Sequence, residues 1–67
     1  MNADILKGKW GQMKGDVKQW WGKLTDDDLT YIEGSWEKLV GRLQEHYGYT
    51  REQAEAEVDR RFGAHVD

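Results

Sequence analysis

The chain has 67 residues, no cysteine, no proline and a net charge of −3. That bounds it to one small domain (1–67) with a thin core and excludes a disulfide or thiolate–metal staple. The charge is uneven: five lysines face two aspartates over residues 1–23, and five basic side chains face eleven acidic ones over residues 24–67. Such a split serves either complementarity between two halves of the fold or attraction of the basic segment to a polyanion.

The opening "MNADILKGKWG" lacks a basic segment followed by an apolar run, and no apolar run exceeds two residues. About 20 are needed to span a bilayer. The expectation is a cytoplasmic protein without a transmembrane segment.

In chain order, Leu6, Trp10, Met13, Val17, Trp20, Trp21 and Leu24 recur at steps of three and four. This spacing predicts one amphipathic helix from Leu6 to Trp21. Trp20 and Trp21 are adjacent, so they cannot both be equally deep. Gly8, Gly11, Gly15 and Gly22 fall together on the opposite side. An interior glycine costs about 1 kcal/mol relative to alanine, so Gly8, Gly11, Gly15 and Gly41 together cost roughly 4 kcal/mol. Against a total stability of about 5–15 kcal/mol, that leaves the first helix marginal alone. Three uses fit such glycines: a close-packing face for another backbone (within the monomer or across an oligomer), a loose fold that orders on a partner, or neutrality on a solvent face.

The first turn carries a capping box, Thr25 with Asp28, and a hydrophobic staple, Leu24 with Leu29. Gly22 suits the left-handed position that ends the preceding helix. "DDD" at Asp26 to Asp28 stands on the next helix's first turn, where the dipole favours acid groups; the further oxygen ligands of a calcium loop are absent. Leu29, Ile32, Trp36, Leu39, Val40, Leu43 and Tyr47 continue the apolar face. The "EGS" at Glu33 to Ser35 reads as a stop and restart, giving four helices, with three the alternative if the second and third are continuous. Gly34 and Gly41 are expected to point away from the core, and Gly48 to end the third helix. Thr50 with Gln53 repeats the capping box, and Tyr49 with Ala54 repeats the staple. The last helix is expected from Arg51 to Phe62 on a seam of Ala54, Val58 and Phe62, with Gly63 ending it and residues 63–67 fraying.

A shift of 26 positions lays "GKWGQMKGDVKQWWG" over "GSWEKLVGRLQEHYG". Gly8, Trp10, Gly15 and Gly22 fall on Gly34, Trp36, Gly41 and Gly48. The fold class is therefore all-α: a small bundle of four short helices built from two related helix-turn-helix units.

No nucleophilic triad can be assembled, because cysteine is absent and His46 and His65 lack companions at useful spacing. Two histidines so placed form no zinc pattern. The glycines recur at helical spacing and do not follow a strand, which excludes the common nucleotide loops. No catalytic residue, metal ligand or cofactor is assigned, and the reading is of a protein that is not an enzyme. Lys7, Lys9, Lys14, Lys18 and Lys23 alternate with tryptophans and are the candidate contact for a polyanion, either nucleic acid or an anionic membrane surface. Trp10 and Trp20 share the core face with Met13 and Val17, and the whole protein is acidic, so both contacts are disfavoured.

The combination of Trp10, Gly15, Val17, Trp21, Gly22, "LTDDDL", "EG", "LVGRLQEHYGY" and "QAE" resembles the CsbD-like family of small bacterial stress-response proteins. The resemblance runs from Asn2 to about Val58. It implies a compact helical fold, cytoplasmic residence and induction under general stress. It brings no cofactor, no defined activity and no catalytic residues. The function expected is that of a non-enzymatic stress protein. It would act through contact with a protein partner, through self-association, or as a hydrophilic protectant.

Overall fold

The computed structural model describes residues 3–66, with side chains from Asp4 to Phe62. The side chains of residues 63–67, that of His65 among them, lie outside the description. The fold is all-α, with five helices: α1 (Ala3–Gly8), α2 (Trp10–Trp20), α3 (Asp26–Ile32), α4 (Trp36–Tyr47) and α5 (Arg51–Val66). Among the described residues there is no strand. Its Cα radius of gyration is 10.6 Å, close to the roughly 11 Å expected of a compact chain this long.

The fifth helix arises because the expected rod from Leu6 to Trp21 is jointed. Lys9 has φ −112° and ψ 16°, well away from a helical ψ of about −42°. The bonds Lys9 N–H to Ile5 O and Met13 N–H to Lys9 O, both 2.9 Å, carry the chain through the bend. The joint sits against Gly34. A Cβ on Gly34 would lie 3.1 Å from Lys7 Cα and 3.2 Å from Trp10 Cβ. Gly34 is thus buried against the elbow and does not point away from the core.

The break at "EGS" separates α3 from α4 as expected. Glu33 (φ 43°) and Gly34 (φ 81°) turn the chain through the left-handed region. Ser35 then caps α4 by accepting the Lys38 N–H at 3.3 Å. Gly48 (φ 71°) ends α4 as a left-handed cap. Gly22 does not play that part for α2. The chain leaves the helix one residue earlier, at Trp21 (φ −126°, ψ 83°), and a Leu24 N–H to Trp21 O bond of 3.0 Å closes the turn. Leaving the helix also separates the two neighbouring indoles. Trp21 is buried, while Trp20 is half-buried and meets it edge-on at 5.7 Å.

Helix α4 is central and packs against α1, α3 and α5. The core is one cluster: Leu6, Met13, Val17, Trp21, Leu24, Leu29, Ile32, Leu39, Val40, Leu43, Ala54, Val58 and Phe62. Trp10, Trp20, Trp36 and Tyr47, expected inside, are half-buried and pack on its rim with Tyr49. On the last helix the seam of Ala54, Val58 and Phe62 is fully buried. The helical backbone continues through Gly63, where an end was expected. Phe62 anchors α5 edge-on to Trp20 at 5.2 Å, a contact type worth about 0.5–1.5 kcal/mol beyond its buried area.

Candidate functional site

The most developed polar constellation centres on Asp28, the one buried charged residue among those described, at 8% exposure. Its position follows from local chemistry. Thr25 is non-helical, and its Oγ1 accepts the Asp28 N–H at 3.1 Å. The Asp28 carboxylate reaches back to accept the Thr25 N–H at 2.9 Å and the Thr25 hydroxyl at 3.1 Å. This is the predicted capping box, and it fixes the carboxylate at the start of α3.

The unforeseen part is the partner across the hairpin. His46, on the last turn of α4, places Nε2 2.7 Å from Asp28 Oδ2. Arg42, one turn earlier on α4, holds Nε 3.7 Å from Asp28 Oδ1. Arg42 Nε is buried with no hydrogen-bond partner among the described residues, so the contact is an ion pair only. The same guanidinium lies 4.1 Å from the Tyr31 ring centre and sends Nη1 to Glu45 at 3.2 Å. Lys38 Nζ approaches the Tyr31 ring at 4.9 Å. The Thr25 backbone N–H holds the Asp28 carboxyl below its ordinary value, aided by the Thr25 hydroxyl and His46 and opposed by burial.

The five candidate lysines do not gather into one bare patch. Lys18 is paired with Asp26, and Lys14 is near enough to help lower the Asp26 carboxyl. Lys23 lies 5.1 Å over the Tyr47 ring, and its backbone N–H donates to the Tyr47 hydroxyl at 3.2 Å. Lys7 lines a groove of about 310 Å³ with Asp4, Glu33, Glu37 and Trp36. Lys9 and Lys14 are exposed on the elbow and α2. Much of the charge asymmetry is therefore used within the molecule.

The candidate glycine face also changes meaning. A Cβ at Gly8, Gly11, Gly15 or Gly41 would meet nothing within 4 Å. Among the described residues no backbone packs on them where a Cβ would stand, and the close approach falls at Gly34. Neither Gly34 nor the Asp28–His46 contact has a local sequence signal, since the partners are distant in sequence. Among the described residues no three His, Asp or Glu side chains are placed to hold a metal ion. Among the described residues, no helix is long and apolar enough to cross a membrane.

The sequence matches the family model described as CsbD-like over residues 4–56. The chain belongs to the CsbD-like family. That match spans the elbow, both capping boxes and the Asp28–His46 hairpin, and stops inside α5. Among its relatives, the UPF0337 protein YjbJ of Escherichia coli strain CFT073 is 61% identical over 59 residues, covering 88% of this chain and 86% of the relative. The UPF0337 protein ECA0631 of Pectobacterium atrosepticum is 62% identical over 58 residues, covering 87% and 84%. The UPF0337 protein PA4738 of Pseudomonas aeruginosa is 57% identical over 58 residues, covering 87% and 89%. This CsbD-like chain thus has bacterial relatives matching nearly its full length, and their names state no molecular activity.

Proposed function

We propose that this CsbD-like chain is a non-enzymatic stress-response protein of the cytoplasm that acts by contact with other proteins, its hydrophilic exterior serving as a protectant. The observation that carries the reading is the set of aromatics left at the surface of a closed core. Trp10, Trp20 and Trp36 are half-buried on its rim, and Tyr31 is 48% exposed beneath Arg42 and Lys38. Tryptophan, tyrosine and arginine dominate contact surfaces because each combines apolar area with a polar handle. The grooves at α1–α4 and α3–α4, about 310 and 260 Å³, are open and lined mainly by charged residues. They sit at or below the small end of ligand sites, so neither of these two grooves encloses a substrate. The family supplies the stress setting.

The test is aggregation of an unrelated, heat-labile reporter enzyme, followed by light scattering. The protein is expected to suppress scattering, and a double variant Tyr31→Ala and Trp36→Ala to suppress it less. Scattering equal to that with an inert protein of the same size would refute the reading. A second reading, electrostatic contact with nucleic acid or an anionic membrane, retains Lys7, Lys9 and Lys14 as its strongest residues, because Lys18 and Lys23 are engaged internally. It requires binding that weakens steeply with salt.

A further inference from the structure

We propose that Asp28, His46 and Arg42 form an acid-sensitive clasp that latches α3 to α4 and releases it when Asp28 takes up a proton. One carboxylate serves two tasks at once. It closes the capping box of α3 through Thr25, and it meets both the His46 imidazole and the Arg42 guanidinium of α4. The ionisable groups around it are few. From α4 come His46 and Arg42, with Glu45 behind Arg42 at 3.2 Å. From α3 come Asp26 and Asp27 in the same turn, with Asp26 held by Lys18 of α2. No other element gives this carboxylate a hydrogen bond or ion pair among the described residues.

Protonation of the carboxylate by solvent has two consequences. The Thr25 N–H then meets a neutral carbonyl in place of an anion, which weakens the reciprocal half of the capping box while the Asp28 N–H bond to Thr25 Oγ1 remains. The contact with His46 loses its anionic acceptor, and Arg42 is left with Glu45 as its carboxylate partner at 3.2 Å. Both effects weaken the hold of α4 on the start of α3. Helix α3 holds the core by two buried apolar side chains, Leu29 and Ile32, whereas α5 holds it by Ala54, Val58 and Phe62 with an exposed Arg51–Glu37 pair to α4 beside them. Release is therefore local: α3 opens first, uncovering Leu29 and Ile32.

The pH window follows from the sign of the Asp28 shift. Its carboxyl is lowered in the folded protein from a reference near 3.8. A depressed acid contributes stability that is complete above the unfolded value and lost as pH falls through the folded one. The clasp thus holds at neutral pH and opens on the acid side of ordinary carboxylates. This property belongs to the fold and stands apart from the contact reading above.

The decisive experiment is an NMR titration of the intact protein from pH 7 to 2. It follows the Asp28 side-chain carbon together with amide exchange along α3 and α5. The expected result is a common midpoint for Asp28 protonation and for loss of α3 protection. That loss should be at least about tenfold, with α5 amides changing much less. His46→Gln keeps a donor but removes the charge, and should move the Asp28 midpoint upward. Asp28→Asn should remove the acid step in α3. Protection that persists through Asp28 protonation, or that falls together in α3 and α5, overturns the proposal. So does a midpoint unmoved by His46→Gln.

Discussion

Gly34→Ala and Gly41→Ala are the same chemical change and should have opposite signs. At Gly34 the added methyl would stand 3.1 Å from Lys7 Cα, 3.2 Å from Trp10 Cβ and 3.5 Å from Leu6 O. Two of those atoms are backbone, so relief requires moving the α1–α2 elbow itself. Overpacking of this kind costs about 1–3 kcal/mol. The left-handed backbone, φ 81°, adds roughly 1–2 kcal/mol for any residue with a Cβ. Together the loss is about 2–5 kcal/mol, a large part of what a domain of this size has. At Gly41, inside α4, a methyl meets nothing within 4 Å, and the gain in helix propensity is about 1 kcal/mol. A change of 1 kcal/mol shifts Tm by about 4–8 °C in a domain near this size. Gly34→Ala should therefore melt at least about 8 °C lower, and Gly41→Ala about 4–8 °C higher. Urea unfolding followed by tryptophan fluorescence, with thermal circular dichroism alongside, measures both. Shifts of the same sign, or a Gly34→Ala loss within about 0.5 kcal/mol, would refute the elbow argument.

Phe62→Ala should cost about 3–5 kcal/mol, since the side chain is fully buried against Trp20. It should also change Trp20 emission, and a urea-measured loss under about 1 kcal/mol would contradict the role given to α5. Trp21→Phe tests a buried indole whose Nε1 has no acceptor among the described residues. Removing an unpaired donor recovers about 1–3 kcal/mol, which offsets the lost ring volume. The net change should stay within about 1 kcal/mol, whereas Trp21→Ala should lose about 3–5 kcal/mol in the same assay.

Local chemistry was legible in the sequence. Thr25 with Asp28 and Thr50 with Gln53 form the expected capping boxes. In the second, the Thr50 N–H reaches Gln53 Oε1 at 2.9 Å and the Gln53 N–H reaches Thr50 Oγ1 at 3.1 Å. Glu33 to Ser35 breaks the chain, and Ala54, Val58 and Phe62 form a buried seam, because each signal acts within one or two turns. The elbow at Lys9 was not legible. Apolar spacing runs through it unbroken from Leu6 to Trp21, and the bend is set by a glycine 25 positions away in the chain. Gly22 and Gly48 occupy equivalent places in the 26-residue repeat, yet only Gly48 is left-handed. Trp21 leaves the helix to bury its ring, and tertiary packing overrides the local signal. His46 has no companion at useful spacing in the sequence for the same reason: its partner is 18 residues away, in another helix.

Gly11, Gly15 and Gly41 lie within helices, yet each opens onto empty space. Their missing side chains satisfy no steric demand of the monomer. The suppleness they give α2 and α4 is a property of the sequence that the architecture does not require. A CsbD-like chain can therefore be made stiffer or softer by single methyl groups on its outer surface, with no interior side chain disturbed. Selection has a dial for rigidity here that is separate from the one that sets the fold.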